Sequence, residues 1–193
     1  MTQRSNTMTS STSEFIPYNL LNSYGNTKRG LIEWVKEHSE AAHLPIFDAN
    51  GNFKGYLIHV VSRIYTTTDD LDYVLSLGVD VNVKDCRGYT PLMIAATMDT
   101  FRKLIAAGAD PNIKRDDGYD ALHYYAANGK RDYLLELQKL GISSHGGTYH
   151  RTPLQLYSSY MERVYMEYEE AEEGYKGVNP LYDDDESVLA YLR

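Results

Sequence analysis

The chain has 193 residues, 42% hydrophobic and 24% charged, which suits one globular domain with short extensions. Its net charge of −8 argues against the general basic footprint of a nucleic-acid binder. No apolar run is long enough for a transmembrane helix, and a single cysteine, Cys86, excludes an intrachain disulfide and fits a reducing compartment.

The charge is unevenly placed. Ten Asp/Glu and two Lys/Arg lie between Met161 and Glu186, so the stretch accounts for the whole excess; seventeen residues of each sign lie elsewhere. The aromatics are lopsided too, with 18 Tyr against four Phe and one Trp. Tyrosine pairs an apolar ring with a polar tip and so suits half-exposed packing and contact surfaces.

In chain order, residues 1–13 are Ser/Thr-rich and offer little to bury, so disorder is expected there; they lack the apolar core of a signal peptide. Residues 14–47 read as an N-terminal helical cap. Leu31, Trp34, Val35 and His38 recur at helical spacing, predicting a helix from Thr27 to His43 that stops before Pro45. Residues 48–151 repeat themselves. Gly78-Val79-Asp80-Val81-Asn82 returns as Gly108-Ala109-Asp110-Pro111-Asn112, and Gly88-Tyr89-Thr90-Pro91-Leu92 returns as Gly118-Tyr119-Asp120-Ala121-Leu122, each 30 residues on. Thr152-Pro153-Leu154 follows, and Ile58-His59-Val60-Val61 occupies the matching place upstream.

The chemistry of these positions is that of helix starts and stops. Thr90 can cap a helix with its hydroxyl, and Pro91 sits where the missing N–H has no helical partner. Ala95-Ala96 keeps that helix thin. Gly78, Gly108 and Gly141 end second helices in the left-handed conformation that satisfies free carbonyls. Asp85 to Gly88 and Asp116 to Gly118 supply turns.

Thr90-Pro91-Leu92 with Ala95-Ala96, Leu104-Ile105 before Gly108-Ala109-Asp110, and Leu122-His123 with Ala126 and Asn128-Gly129 resemble the ankyrin repeat family. The resemblance covers roughly Asp48 to Glu173. It implies an all-α architecture, an α-solenoid of about four helix-turn-helix units whose apolar sides are buried only by stacking. Family units run to about 33 residues, and the Thr90 unit is shorter, with Met98-Asp99-Thr100 expected as the turn between its helices. Met93 and Gln155 replace the family histidine, and Ile142-Ser143-Ser144 replaces the Ala-Asp-Val exit.

Residues 152–193 are expected to differ. From Pro153 to Glu173 the periodicity stays helical, with Tyr157, Met161, Val164, Tyr165 and Tyr168 on one face and Glu162, Glu167, Glu169, Glu170 and Glu173 in water. This reads as one long capping helix in place of a two-helix unit, stopped by Gly174 and Gly177. Asp183-Asp184-Asp185 then precedes a short helix, Ser187 to Leu192.

Site candidates divide into turn chemistry and contact chemistry. His59 and His123 fall at the family's helix-start histidine and are expected to bond backbone. His145 and His150 flank Gly146-Gly147 without a third zinc ligand nearby in sequence, and no Lys-Ser/Thr follows those glycines to make a phosphate loop. Asp116-Asp117 and Asp183–Asp185 lack the alternation of a calcium loop. Cys86 lies beside Arg87 in a turn, but no base is paired with it by motif. No catalytic residue, cofactor or metal is therefore expected; an enzyme built on Cys86 or the C-terminal region is the competing class. The contact candidates are Arg87, Tyr89, Tyr119, Tyr149 and Arg151 at the fingertips, of the types enriched at interface hot spots, and Glu169, Glu170 and Glu173 on the acidic helix. The resemblance implies a non-catalytic module that binds a protein partner, basic where it meets the acidic end, with no nucleic acid and no membrane. Short proteins of this family include inhibitors or immunity proteins and host-targeting effectors, so the expected place is the cytoplasm, or the host cytoplasm for a translocated effector.

Overall fold

The structure, a computed structural model, describes residues 16–17, 28–63, 68–143, 151–171 and 185–193. Helix α1 spans Lys28–Glu37 and a 3₁₀ turn follows at Ser39–His43. The single helix expected from Thr27 to His43 is thus broken at His38. That residue leaves helical geometry (φ −133°), its Nδ1 takes the Trp34 carbonyl at 3.0 Å, and its ring stacks on Trp34. Val35 is buried and Trp34 and His38 are half-buried, as the spacing predicts; Ile32, outside that pattern, is buried too, and the Leu31 side chain lies outside the described ones. The N-terminal region also departs from an all-helical plan. Strands β1 (Ile16–Pro17), β2 (Pro45–Phe47) and β3 (Phe53–Tyr56) form a small sheet in that order, β1 parallel and β2 antiparallel to its neighbour. The Asp48 carboxylate closes the β2–β3 turn, accepting the N–H groups of Asn50 and Asn52 at 2.9 Å each.

The rest is helical. Helices α2 (Leu57–Arg63) and α3 (Thr68–Ser76), then α4 (Met98–Ala106), then α5 (Ala121–Ala127) and α6 (Arg131–Lys139) follow one another, each unit joined to the next by an extended turn. Leu57, Ile58, Val61, Leu71, Val74, Leu92, Phe101, Leu104, Leu122, Tyr125, Leu134 and Leu137 are all buried in one continuous core. Each unit supplies an apolar side that its neighbour covers, which is why stacking rather than any one unit carries the stability. Ion pairs cross the outer helices, Lys103 to Asp72 at 2.7 Å and Arg102 to Glu136 at 2.9 Å. Being exposed and screened by solvent, such pairs contribute little to stability.

The Thr90 unit differs from its expected form. Residues 91–94 make a turn, not a helix. Thr90 Oγ1 accepts the Met93 N–H at 3.4 Å, a long bond. The Ala96 N–H donates across to the Ser62 carbonyl at 2.9 Å instead of along a helix. Thr97 Oγ1 then accepts the Thr100 N–H at 3.1 Å and starts α4. Met98-Asp99-Thr100 is therefore the first turn of a helix, correcting its reading as the turn between two. The few residues between Thr90 and Thr97 are too few for two helical turns of 3.6 residues each, so the shortening falls on the first helix.

Beyond residue 151 one helix, α7 (Pro153–Ala171, 19 residues), runs without interruption. A reciprocal box starts it: Gln155 N–H donates to Thr152 Oγ1 at 3.2 Å and Thr152 N–H to Gln155 Oε1 at 2.9 Å. Gln155, expected as a substitute for a histidine, thus has a capping role. Tyr157 is buried, Met161 and Val164 are half-buried, and Glu162 and Arg163 are exposed. α7 packs on α5, and α8 (Asp185–Leu192) packs on α6 and α7 with Val188 and Leu192 buried. The Tyr191 hydroxyl donates to the Ile142 carbonyl and fixes α8 at the end of α6.

Candidate functional site

Two finger turns lie side by side. In the first, Asp85 N–H donates to the Tyr89 carbonyl and Gly88 N–H to the Asp85 carbonyl, both at 2.9 Å. The buried Asp85 side chain ties the turn from within: Oδ1 accepts the N–H groups of Arg87 at 2.8 Å and Tyr89 at 2.9 Å. Its Oδ2 lies 3.4 Å from Arg63 at the end of α2. In the second finger Arg115 N–H donates to the Tyr119 carbonyl at 2.8 Å and Gly118 N–H to the Arg115 carbonyl at 3.0 Å. The charges are exchanged between the two. Arg115 stands where the first finger has Asp85, and Asp117 stands where it has Arg87. Asp117 Oδ1 accepts the Tyr119 N–H at 3.2 Å and Oδ2 pairs with Arg115 at 2.8 Å.

The exchange lets the fingers interlock. The Arg115 guanidinium lies 4.1 Å from the centroid of the Tyr89 ring and that of Arg87 lies 5.3 Å from it. Tyr124, on α5, meets Tyr89 edge-on with centroids 5.4 Å apart. Tyr119 stacks on His123 at 5.1 Å. Both tyrosines are half-buried, so each has one side in the stack and one toward solvent.

The two histidines behave differently. His59 Nδ1 accepts the Tyr56 N–H at 3.2 Å and Nε2 donates to the Tyr89 carbonyl at 3.0 Å, joining β3 to the first fingertip. Burial holds its pKa below the ordinary 6.5, opposed by the Tyr89 carbonyl and Asp85, so the ring is neutral. His123 Nδ1 faces the Asp120 carboxylate at 2.7 Å, and its Nε2 is buried with no hydrogen-bond partner among the described residues. Asp120 also caps α5 by accepting the His123 N–H at 3.1 Å.

Of the residues singled out from sequence, Arg87, Tyr89 and Tyr119 share this edge. Arg151 is exposed beside the start of α7, its guanidinium donating to the Ser159 hydroxyl. Tyr149, His145, His150, Gly146-Gly147, Glu173, Gly174, Gly177 and Asp183-Asp184 lie outside the described residues, as do residues 1–13. Glu169 and Glu170 lie on the α7 backbone, with their side chains outside the described ones. Cys86 is exposed at the first fingertip. Among the described residues no group of three His, Cys, Asp or Glu side chains could hold a metal ion, and no helix is long and apolar enough to cross a membrane. Sequence reasoning missed Arg63, Arg115 and Tyr124. The signal for Arg115 was present in the 30-residue offset, which sets it opposite Asp85.

Stacked helical units joined by extended fingers, with aromatic and basic side chains along the finger edge, define a repeat module of the binding type. Residues 57–143 match the family of ankyrin repeats, in three copies. The chain thus contains ankyrin repeats over residues 57–143, and repeats of this kind generally mediate protein–protein interaction. No curated protein matches the chain.

Proposed function

We propose that this protein is a non-catalytic module that binds and modulates or inhibits a protein partner through its finger edge, with the acidic C-terminal helix steering a basic part of that partner. The observation that carries the reading is the recurrence of Tyr89 and Tyr119 on adjacent fingers, each half-exposed, Tyr89 bordered by Arg87 and Arg115 and Tyr119 stacked on His123. Tyrosine and arginine at the centre of a contact contribute most of an interface's energy.

The reading includes four units: the three matched copies and a fourth, residues 152–193, in which α7 replaces a helix pair and closes the stack. Residues 14–47 close the other end. α7 supports this role, since its buried Tyr157 faces α5 and its Glu162 and Arg163 face water. An inhibitor or immunity role, or that of an effector acting in a host cytoplasm, fits a small acidic binding module. The acidic stretch between Met161 and Glu186 favours an inhibitor of a basic target.

The test is affinity capture from the native cell followed by reconstitution. A partner bound at fixed stoichiometry, without turnover of either component, supports the module; turnover of the partner by this chain contradicts it. Changing Glu169, Glu170, Glu172 and Glu173 to Gln should then slow association and flatten its salt dependence, with dissociation changed less. Association at the parent rate in low salt would reduce the acidic helix to a solvated face.

A further inference from the structure

We propose that Arg63, Arg87, Arg115, Tyr89 and Tyr124 form an anion-recognition site on the finger edge, and that it takes the carboxylates of an Asp/Glu-rich segment of the protein partner. The proposal rests on the partner-binding reading and assigns that edge its chemistry.

Three guanidinium groups from three successive units converge here. Arg63 ends α2, Arg87 tips the first finger and Arg115 sits inside the second. Tyr89 lies under the guanidiniums of both Arg115 and Arg87, and Tyr124 closes the group from α5. Burial and the neighbouring Tyr89 push the Tyr124 phenol up, against the field of all three arginines, so it keeps its proton at neutral pH and can donate. Arg63 is tied to the same fingertip through Asp85, which lies 3.4 Å from it and accepts the Arg87 and Tyr89 N–H groups.

The two carboxylates that pair with these arginines are already committed. Asp85 gives one oxygen to two backbone N–H groups and the other to Arg63. Asp117 gives one oxygen to Tyr119 N–H and the other to Arg115. Arg87 is exposed and forms no ion pair among the described residues. Arg115 keeps a buried Nε–H without a hydrogen-bond partner among them. An arginine carries five N–H donors in a fixed fork, so unfilled donor capacity is concentrated at this edge.

Arg63, Lys84, Arg87, Lys114 and Arg115 against Asp85, Asp116, Asp117 and Asp120 leave an excess of one positive charge, on a chain whose net charge is −8. That excess suits a carboxylate or two presented by a folded or extended protein segment. It is poorly suited to a nucleic-acid strand, which brings a charge every few ångströms and would meet the acidic end. A partner matched to both surfaces would be bipolar, presenting carboxylates to the fingers and basic residues to the C-terminal helix, and that polarity would fix its orientation.

The experiment uses the full chain alone, ¹⁵N-labelled, titrated with an acetylated hexaglutamate peptide. The arginine Nε–H resonances of Arg63, Arg87 and Arg115 should move together, while those of Arg102 and Arg131 stay in place. Hexaglutamine and hexalysine peptides should leave all five unmoved. The double variant Arg63→Gln with Arg87→Gln should weaken hexaglutamate binding about tenfold; parallel melting curves establish that it is folded, and the parent chain's resonance map decides the question if it is not. Equal movement of all arginines, or unchanged affinity of the folded double variant, would overturn the site. Tighter binding of a phosphoserine peptide or of oligothymidylate would overturn the choice of carboxylate. Once a partner is in hand, retention of its full affinity by the double variant would remove this inference and leave the partner-binding reading standing.

Discussion

Between Leu57 and Ser143 the described residues alternate helices of seven to nine residues with turns, whereas from Pro153 to Ala171 the chain is one unbroken helix of 19. In the first region geometry is set by bonds between units. Asn82 donates to the Gly108 carbonyl at 3.1 Å and accepts the Asp110 N–H at 2.8 Å, while His59 holds the Tyr89 carbonyl. In the second a single capping box starts a helix, and one face of it rests on α5. The repeats fix the fingers relative to one another, and the long helix leaves Glu162 and Arg163 exposed on its outer side.

Substitutions can separate the two regions. The largest effect belongs to Tyr125, a buried ring stacked on Tyr133 and edge-on to Phe101, with its hydroxyl donating to the Leu92 carbonyl. Tyr125→Ala should cost about 4 kcal/mol in denaturant unfolding. Gly129 comes next, because it belongs to both regions: its φ is +60° and an added Cβ would meet the Tyr160 ring of α7. Gly129→Ala should cost roughly 3 kcal/mol, part backbone and part clash. In a Tyr160→Ala background the clash is gone, and Gly129→Ala should there cost only about 1 kcal/mol; the same cost in both backgrounds would mean that α7 does not rest on that turn.

Gly108 is the control confined to the repeats. Its φ is +92° and nothing lies within 4 Å of an added Cβ, so Gly108→Val reports backbone conformation alone. A loss of about 2 kcal/mol is expected, and parent-like melting would mean that α4 ends elsewhere.

A smaller effect is a pH dependence. Burial lowers the folded pKa of His59, so as pH falls past the ordinary 6.5 the unfolded chain takes up the proton first. The contribution is fully present above that pH and declines below it, until the folded ring also titrates. His59→Gln should flatten the stability profile below pH 6.5. An unchanged profile would place the titration elsewhere.

Much of the repeat region was legible because its signals are local. A glycine that needs positive φ, a turn aspartate and an apolar pair can be read without knowing the neighbours, and the long helix announced itself by the absence of any such break. What stayed hidden depends on distant partners. The strand Pro45–Phe47 is three residues long and becomes a strand only against Ile16 and Phe53–Tyr56. The first helix of the Thr90 unit looked complete because Thr90-Pro91 is a helix start. Its failure follows from the Ala96–Ser62 bond, which ties the chain to another unit. At the finger edge Arg87, Tyr89 and Tyr119 were visible as a pattern. Arg63 and Tyr124 were not, for they reach the edge from helices whose relative placement no local motif encodes.

The central claim is that the finger edge binds a protein. Its most direct measurement is the affinity of the captured partner for the parent chain and for the Tyr89→Ala, Tyr119→Ala double variant, with unfolding free energies measured in parallel. Both rings pack as well as face solvent, so some stability will be lost, and affinity must be read on the folded fraction. Binding should weaken by about 2 kcal/mol or more, through faster dissociation. Unchanged affinity accompanied by lost stability would contradict it, leaving these tyrosines as packing between fingers and the partner's contact elsewhere on the chain.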